Sequence, residues 1–293
     1  MPSTRPAISR RHVCASLLFA STLAPAAAAP PPASYLDRLR RFRSNLVLHG
    51  PAPQDFKPST PPAGVREIVY PSGSLSLKAW VALPPGASPS SKVPGVVFFH
   101  GGFAFAAGDF DAARPFLDAG FALLCPMLRA ENGNPGSFEL LLGEIDDAKA
   151  AVAWLAQQPE VDASRLYTFG HSIGGVVSAL LSLHPVGIRH GGSSGGLFGT
   201  RMFDADWMKP RIPFAGSNPD ERELRVLVGN VPWMQHPHHA WVGEGDALQD
   251  GDLAAREPQS EPRLSVTRMA GDHFTSFGPS LAAYVDIVKA DRS

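Results

Sequence analysis

Three short apolar runs, "GVVFFH" (95–100), "FALLCPM" (121–127) and "RLYTFG" (165–170), follow one another with helical patterns between them, and this order constrains the fold more than any other feature. A run apolar at every position marks a strand covered on both faces. Strands alternating with helices then predict a parallel sheet with helices on both sides. The intervening stretches "DAARPFLDAG" and "SFELLLGEIDDAKAAVAWLAQQP" carry apolar residues at helical spacing, the second stopped by Pro159. Ahead of this core, "VREIVYPS" and "LSLKAWVALP" read as two strands joined at Ser72-Gly73. Beyond it, "HHAWVGEG" and "RLSVTRMAG" read as the last two strands and "SLAAYVDIVKAD" as a closing helix. The expected class is α/β, with a mostly parallel central sheet.

The flanks are less regular. Residues 1–29 have the form of an export signal: Arg5, Arg10 and Arg11, then the apolar "VCASLLFASTL", then the small-residue "APAAAA". The apolar run is too short for a stable membrane span. The Arg10-Arg11 pair loosely resembles a twin-arginine signal, but the apolar residue expected after it is weak, which favours the general secretory route. Residues 30–64 read as one short helix, with Leu36, Leu39, Phe42 and Leu46 turned inward, followed by a proline-rich arm crossing the surface. Residues 65–293 form the main domain, within which 184–237 reads as a small cap with a weak strand near "VGIRH" and a short helix in "DERELRVLVG".

Removing the signal leaves 23 basic against 27 acidic residues, so a nucleic-acid partner lacks electrostatic support. Cys125 then remains the single cysteine, in an apolar strand-like run, and reads as a buried structural thiol. No cofactor fingerprint occurs. His236, His238 and His239 do not share one helical face and lack a carboxylate cluster, so no metal site is expected there.

The pattern G-x-S-x-G, which lifts a nucleophilic serine onto a sharp strand-to-helix turn, occurs three times: "GHSIG" at 170, "GGSSG" at 191 and "GSSGG" at 192. Only Ser172 stands where an apolar strand ends and a helical pattern, Ile173, Val176, Val177, Leu180 and Leu181, begins. Ser193 and Ser194 have no helix after them and read as a loop. A serine hydroxyl needs a base, and the base a carboxylate. His273, in "GDHF" after the last strand, and Asp246, in "GEGD" after the one before, supply them, with Asp250 and Asp252 as rivals further into the loop. The chain order is Ser, Asp, His. Two N–H groups must also meet the oxyanion. Ile173 provides one, and Gly102 or Phe103, in "HGGF" after the first buried strand, the other. His171 adjoins the nucleophile but points away from it and is expected to pack or bond locally rather than act as the base.

Together "HGGF", the long helix before "VDASRLYTFGHSIGG", "GEGD" and "GDHF" resemble the α/β-hydrolase superfamily from about residue 65, closest to the domain shared by prolyl-oligopeptidase-like peptidases and dienelactone-hydrolase-like esterases. The resemblance implies a stand-alone serine hydrolase without cofactor, acting on a small-molecule ester or a short peptide. Two departures stand out. Dienelactone hydrolases carry cysteine at the elbow where this chain has Ser172, and prolyl oligopeptidases often place an oxyanion-binding tyrosine where this chain has His100. Ester cleavage is therefore expected first, with cleavage of a peptide or aminoacyl amide as the alternative, and a binding protein that kept the fold without turnover as a third reading.

Overall fold

The expected hairpin is present: β1 (Arg66–Ser72) and β2 (Leu75–Ala82) pair antiparallel, with Ser72 opposite Leu75 across a tight turn at Gly73-Ser74. The computed structural model describes Met1, residues 33–248 and residues 262–291. The expected signal segment, Asp250 and Asp252 lie outside the described residues. The sheet continues through β3 (Val93–Phe99), β4 (Ala122–Pro126), β5 (Val161–His171), β6 (His190–Ser194), β7 (His238–Gly243) and β8 (Leu264–Met269). Its eight strands lie in the order β1-β2-β4-β3-β5-β6-β7-β8, parallel at every pairing from β4 to β8. This is the α/β-hydrolase fold.

The continuous apolar runs are explained by two cores. Along β3, Val97 and Phe99 face α3 (Gly143–Ala156) and α4 (Ile173–Leu181), while Val96 and Phe98 face α2 (Ala107–Asp118) and the closing helix Phe277–Ala290. Because successive side chains point to opposite faces, a strand covered on both sides needs an apolar residue at each position. Cys125 is one of these, fully buried in β4, and burial pushes its thiol well up. Among the described residues, no helix is long and apolar enough to cross a membrane.

The N-terminal helix α1 (Tyr35–Arg41) is capped by Ser34, and its partly buried Leu36 and Leu39, with Phe42 and Leu46 beyond it, pack on the α3–α4 core. Arg38 holds it to the short α5 (Pro219–Glu223) through Asp220 and Glu223, both at 2.6 Å. The arm that follows is tied down by its backbone: Val47 N–H donates to Pro213 O at 2.7 Å and Ala52 N–H to Ala130 O at 3.0 Å.

Three expectations are corrected. Ser193 and Ser194 are not in a loop: they end β6, an interior strand between β5 and β7, and are fully buried. The strand expected at "VGIRH" begins only at its last residue, His190, and the irregular segment starts after β6. The long helix expected from residue 137 begins at Gly143 instead. Leu140 and Leu141 adopt left-handed backbone (φ 53° and 67°), and the buried Glu144 carboxylate accepts from the N–H groups of Glu139 and Leu142, which anchors the helix start where it is. Of the aromatic and methionine side chains in the cap, Phe198, Phe203, Met208, Phe214 and Met234 are buried and join the core that covers α3 and α4, with Trp207 and Trp233 partly buried against it.

Candidate active site

The strand β5 delivers Ser172 to a turn so sharp that it takes φ 55°, ψ −119°, a conformation costly for any residue with a side chain. The Ser172 N–H donates to Ser194 O at 2.9 Å, so the end of β6 holds the turn. The helix α4 starts at once with Ile173. The strands β7 and β8 end on the same edge, and the loops that leave them carry Asp246 and His273. The three sequence-predicted side chains meet there. Ser172 Oγ lies 2.9 Å from His273 Nε2, and His273 Nδ1 lies 2.8 Å from Asp246 Oδ2. A carboxylate only accepts, so Nδ1 carries the proton and Nε2 is left with its lone pair toward the serine. Both His273 and Asp246 are buried, and Asp246 Oδ1 accepts from Leu248 N–H at 3.0 Å, which fixes the carboxylate. Gly195, directly after β6, leaves room for this pair, since a side-chain carbon there would lie 3.1 Å from His273 Nδ1 and 3.4 Å from Asp246 Oδ2.

His171 packs against Phe274 and Phe277, and its Nε2–H donates to the His273 backbone carbonyl at 2.8 Å, tying the elbow to the loop that carries the base. Burial lowers its pKa, so it serves as a neutral donor. His100 lies inside the protein. Its Nδ1 faces Gly101 O at 3.0 Å and its Nε2 faces Glu131 Oε2 at 3.1 Å, two acceptors that together call for an imidazolium. Burial by itself pulls the pKa down, but the Glu131 carboxylate outweighs it and raises it from near 6.5 to about 9. His100 therefore braces the "HGGF" loop from beneath and does not take the place of an oxyanion-binding tyrosine.

The Gly101–Phe103 loop abuts the elbow, with a side-chain carbon on Gly101 reaching to 3.5 Å from Ser172 Cβ. The two candidate donors in this loop differ. Phe103 N–H donates to Gln54 Oε1 at 2.9 Å, so it is occupied by the N-terminal arm. Among the described residues, neither Gly102 N–H nor Ile173 N–H has a partner. Ile173 opens a helix, where the first turn's N–H groups have no partner within the helix. Gln54 was not singled out by the sequence, because nothing in "PAPQDF" links it to a loop about fifty residues away.

The remaining histidines lie away from the triad. His238, in β7, meets Ser193 Oγ at 2.8 Å inside the sheet, and burial lowers its pKa to about 3. His239 faces His190 on the opposite side of the strand. A cleft of about 180 Å³ adjoins the acid loop, lined by Leu197, Phe198, Met202, Trp207, Ala247 and Leu248 among others.

Comparison with known proteins places this geometry in context. Residues 68–189, which include the elbow, match the X-Pro dipeptidyl-peptidase (S15) family. The uncharacterized peptidase YtmA of Bacillus subtilis (strain 168) is 30% identical over 121 residues, 40% of this chain and 44% of that protein. Among solved structures, dipeptidyl peptidase 4 of Porphyromonas gingivalis aligns with a TM-score of 0.60 at 20% identity, over 75% of this chain and 35% of the other. A hyperthermophilic esterase from the archaeon Pyrobaculum calidifontis aligns with a TM-score of 0.64 at 17% identity, over 78% and 86%. The chain thus spans less than half the length of the two peptidases and most of the length of the esterase.

Proposed function

We propose that this chain, which has the α/β-hydrolase fold, is a serine hydrolase that cleaves carboxylic esters through an acyl-enzyme on Ser172. The observation that carries this reading is the continuous Ser172–His273–Asp246 relay, with contacts of 2.9 and 2.8 Å, at an elbow where the serine is only half-buried. Ser172 Oγ attacks the ester carbonyl as its proton passes to His273 Nε2. Asp246 keeps the Nδ1 proton in place and stabilises the imidazolium that forms. The negative oxygen of the tetrahedral intermediate accepts from Ile173 N–H and Gly102 N–H, the pair left available near the serine. As the intermediate collapses, the C–O bond to the leaving alkoxide breaks and His273 returns the proton to it. Water then repeats the cycle in reverse roles and frees the acid and the serine. The cleft beside Leu197 and Leu248, with Arg201 on its wall, is the place proposed for the acyl or alcohol group.

Cleavage of a short peptide or aminoacyl amide is the second reading, supported by the S15 match over residues 68–189. The same relay serves both, with an amine in place of the alcohol. Purified protein is assayed against p-nitrophenyl esters of rising acyl length and against aminoacyl and X-Pro p-nitroanilides. Ester turnover exceeding amide turnover by orders of magnitude supports the first reading, and the reverse order the second. A fluorophosphonate probe that fails to label Ser172 contradicts both and leaves a binding protein. The basic start, apolar run and "APAAAA" also support export, with a mature N-terminus between Ala27 and Pro32. N-terminal sequencing of protein from the cell envelope or medium tests this, and an intact Met1 there contradicts it.

A further inference from the structure

We propose that Gln54, on the N-terminal arm, is a positioning residue for the oxyanion site: its carboxamide clamps the Gly102–Phe103 peptide so that Gly102 N–H is held ready for the substrate oxygen. The inference rests on the serine-hydrolase reading above.

The arm reaches this place without help from Gln54. Its backbone is fixed ahead of Gln54, by Val47 N–H to Pro213 O, by Ala52 N–H to Ala130 O and by Phe138 N–H to Gly50 O at 2.9 Å. Ala52, two residues before Gln54, is buried, whereas Gln54 itself is exposed. An exposed glutamine gives up side-chain freedom when it is ordered, so one held onto a single backbone N–H of this loop needs a reason. The reason lies in the loop it touches. Gly101-Gly102 is a pair of residues with the greatest backbone freedom available, and Gly102 sits at φ 71°, in the left-handed region. A donor that is to stabilise a transition state must already be in place when charge develops.

Gln54 supplies the missing restraint. Its Oε1 accepts from Phe103 N–H at 2.9 Å and lies 2.6 Å from where a side-chain carbon on Gly102 would be, so the carboxamide lies directly against the turn. Holding the peptide plane after Gly102 fixes one side of that residue. His100, locked between Gly101 O and Glu131, fixes the chain on the other side. Among the described residues, the Gly102 N–H between them is left without a partner, in the loop whose Gly101 abuts Ser172. The arm thereby becomes part of the catalytic apparatus, although it belongs to no strand or helix of the α/β core.

The test compares wild type with Gln54→Met, which keeps the bulk of the side chain and removes the acceptor, in the full mature chain. Turnover and KM are measured on one activated p-nitrophenyl ester, with the inhibition constant of an arylboronic acid, whose tetrahedral adduct with Ser172 carries the oxyanion. The expected result is a loss of about 10- to 100-fold in kcat, a matching loss in boronate affinity, KM within about twofold and an unchanged melting temperature. A structural role alone does not separate boronate affinity from KM. Unchanged kcat and boronate affinity overturn the proposal. So does a rise in both, which means that the Gln54 oxygen occupies the place of the oxyanion and competes with it. A parallel fluorophosphonate reaction separates the two levels of the account: if wild type fails to label at Ser172, the hydrolase reading falls and this inference with it, whereas labelling together with an inert Gln54→Met removes the inference alone.

Discussion

Gly174→Ala sets helix propensity against close packing. Position 174 is the second residue of α4, and on intrinsic preference alone alanine in a helix interior is favoured over glycine by about 1 kcal/mol. The structure predicts the opposite sign. A Cβ at 174 would lie 2.1 Å from Phe99 O and 2.3 Å from His100 O, the backbone at the end of β3, which cannot rotate aside as a side-chain tip does. Restoring an ordinary contact of about 3.5 Å requires the first turn of α4 to move by more than an ångström. Overpacking of this kind costs about 1–3 kcal/mol, and for a domain of this size each kcal/mol lowers the melting temperature by about 2–4 °C. The same displacement carries Ser172 and Ile173 N–H away from His273 and the "HGGF" loop, and misplacement by about 1 Å costs about a hundredfold in rate. The assay is a thermal melt with turnover on p-nitrophenyl acetate, with Gly278→Ala as control. A Cβ at Gly278, also near a helix start, meets nothing within 4 Å, so that variant keeps its melting temperature and activity. A Gly174→Ala protein that melts at or above wild type and turns over fully refutes the reasoning.

Further outcomes follow from other contacts. Ser193→Ala removes the hydroxyl that partners His238 Nε2, and because His238 Nδ1 is already buried without a partner among the described residues, the variant loses about 1–3 kcal/mol while its turnover is kept, as read by denaturant melts and ester assay. The raised pKa of His100 makes the ion pair with Glu131 stabilising below the unfolded value near 6.5, and the contribution is lost as pH rises through about 9. The melting-temperature gap between wild type and Glu131→Gln therefore narrows from pH 6 to pH 10, and a gap that widens contradicts the assignment. Asp246→Asn slows ester turnover strongly with the fold retained by circular dichroism, whereas Asp250→Asn is mild; the reverse order moves the acid four residues along the chain.

The parts of the fold that were legible in the sequence are those where burial writes itself into residue type. The strands β3, β4 and β5 are covered on both faces and carry unbroken apolar runs, and the switch from "LYTF" to helical spacing locates the elbow at Ser172. Strand β6 left no such trace. Its sequence, "HGGSS", lacks strand propensity because neighbouring rings fill the space that side chains would take: a Cβ on Gly192 would lie 2.7 Å from Tyr284 and 2.8 Å from Phe169. Its backbone pairing on both sides makes it a strand regardless. The start of α3 misled for a related reason, since Leu140 and Leu141 are apolar for the sake of the core and not of a helix. At the site, His273 and Asp246 were legible as residues at strand ends in the right order. The choice between Gly102 and Phe103, and the presence of Gln54, depend on where the arm crosses the sheet edge, which no local pattern encodes.

The central claim is that Ser172 and His273 act as one unit, and the most direct measurement is a double-substitution cycle on a single activated ester. Residues that share one proton-transfer step lose nearly everything when either is removed. Ser172→Ala is predicted to lower kcat by about 10³-fold or more, His273→Ala by a similar factor, and the double variant by no more than the worse of the two. If the two losses instead multiply, or Ser172→Ala keeps turnover within about tenfold of wild type, the 2.9 Å contact between the two side chains is not the catalytic relay and the account is wrong at its centre.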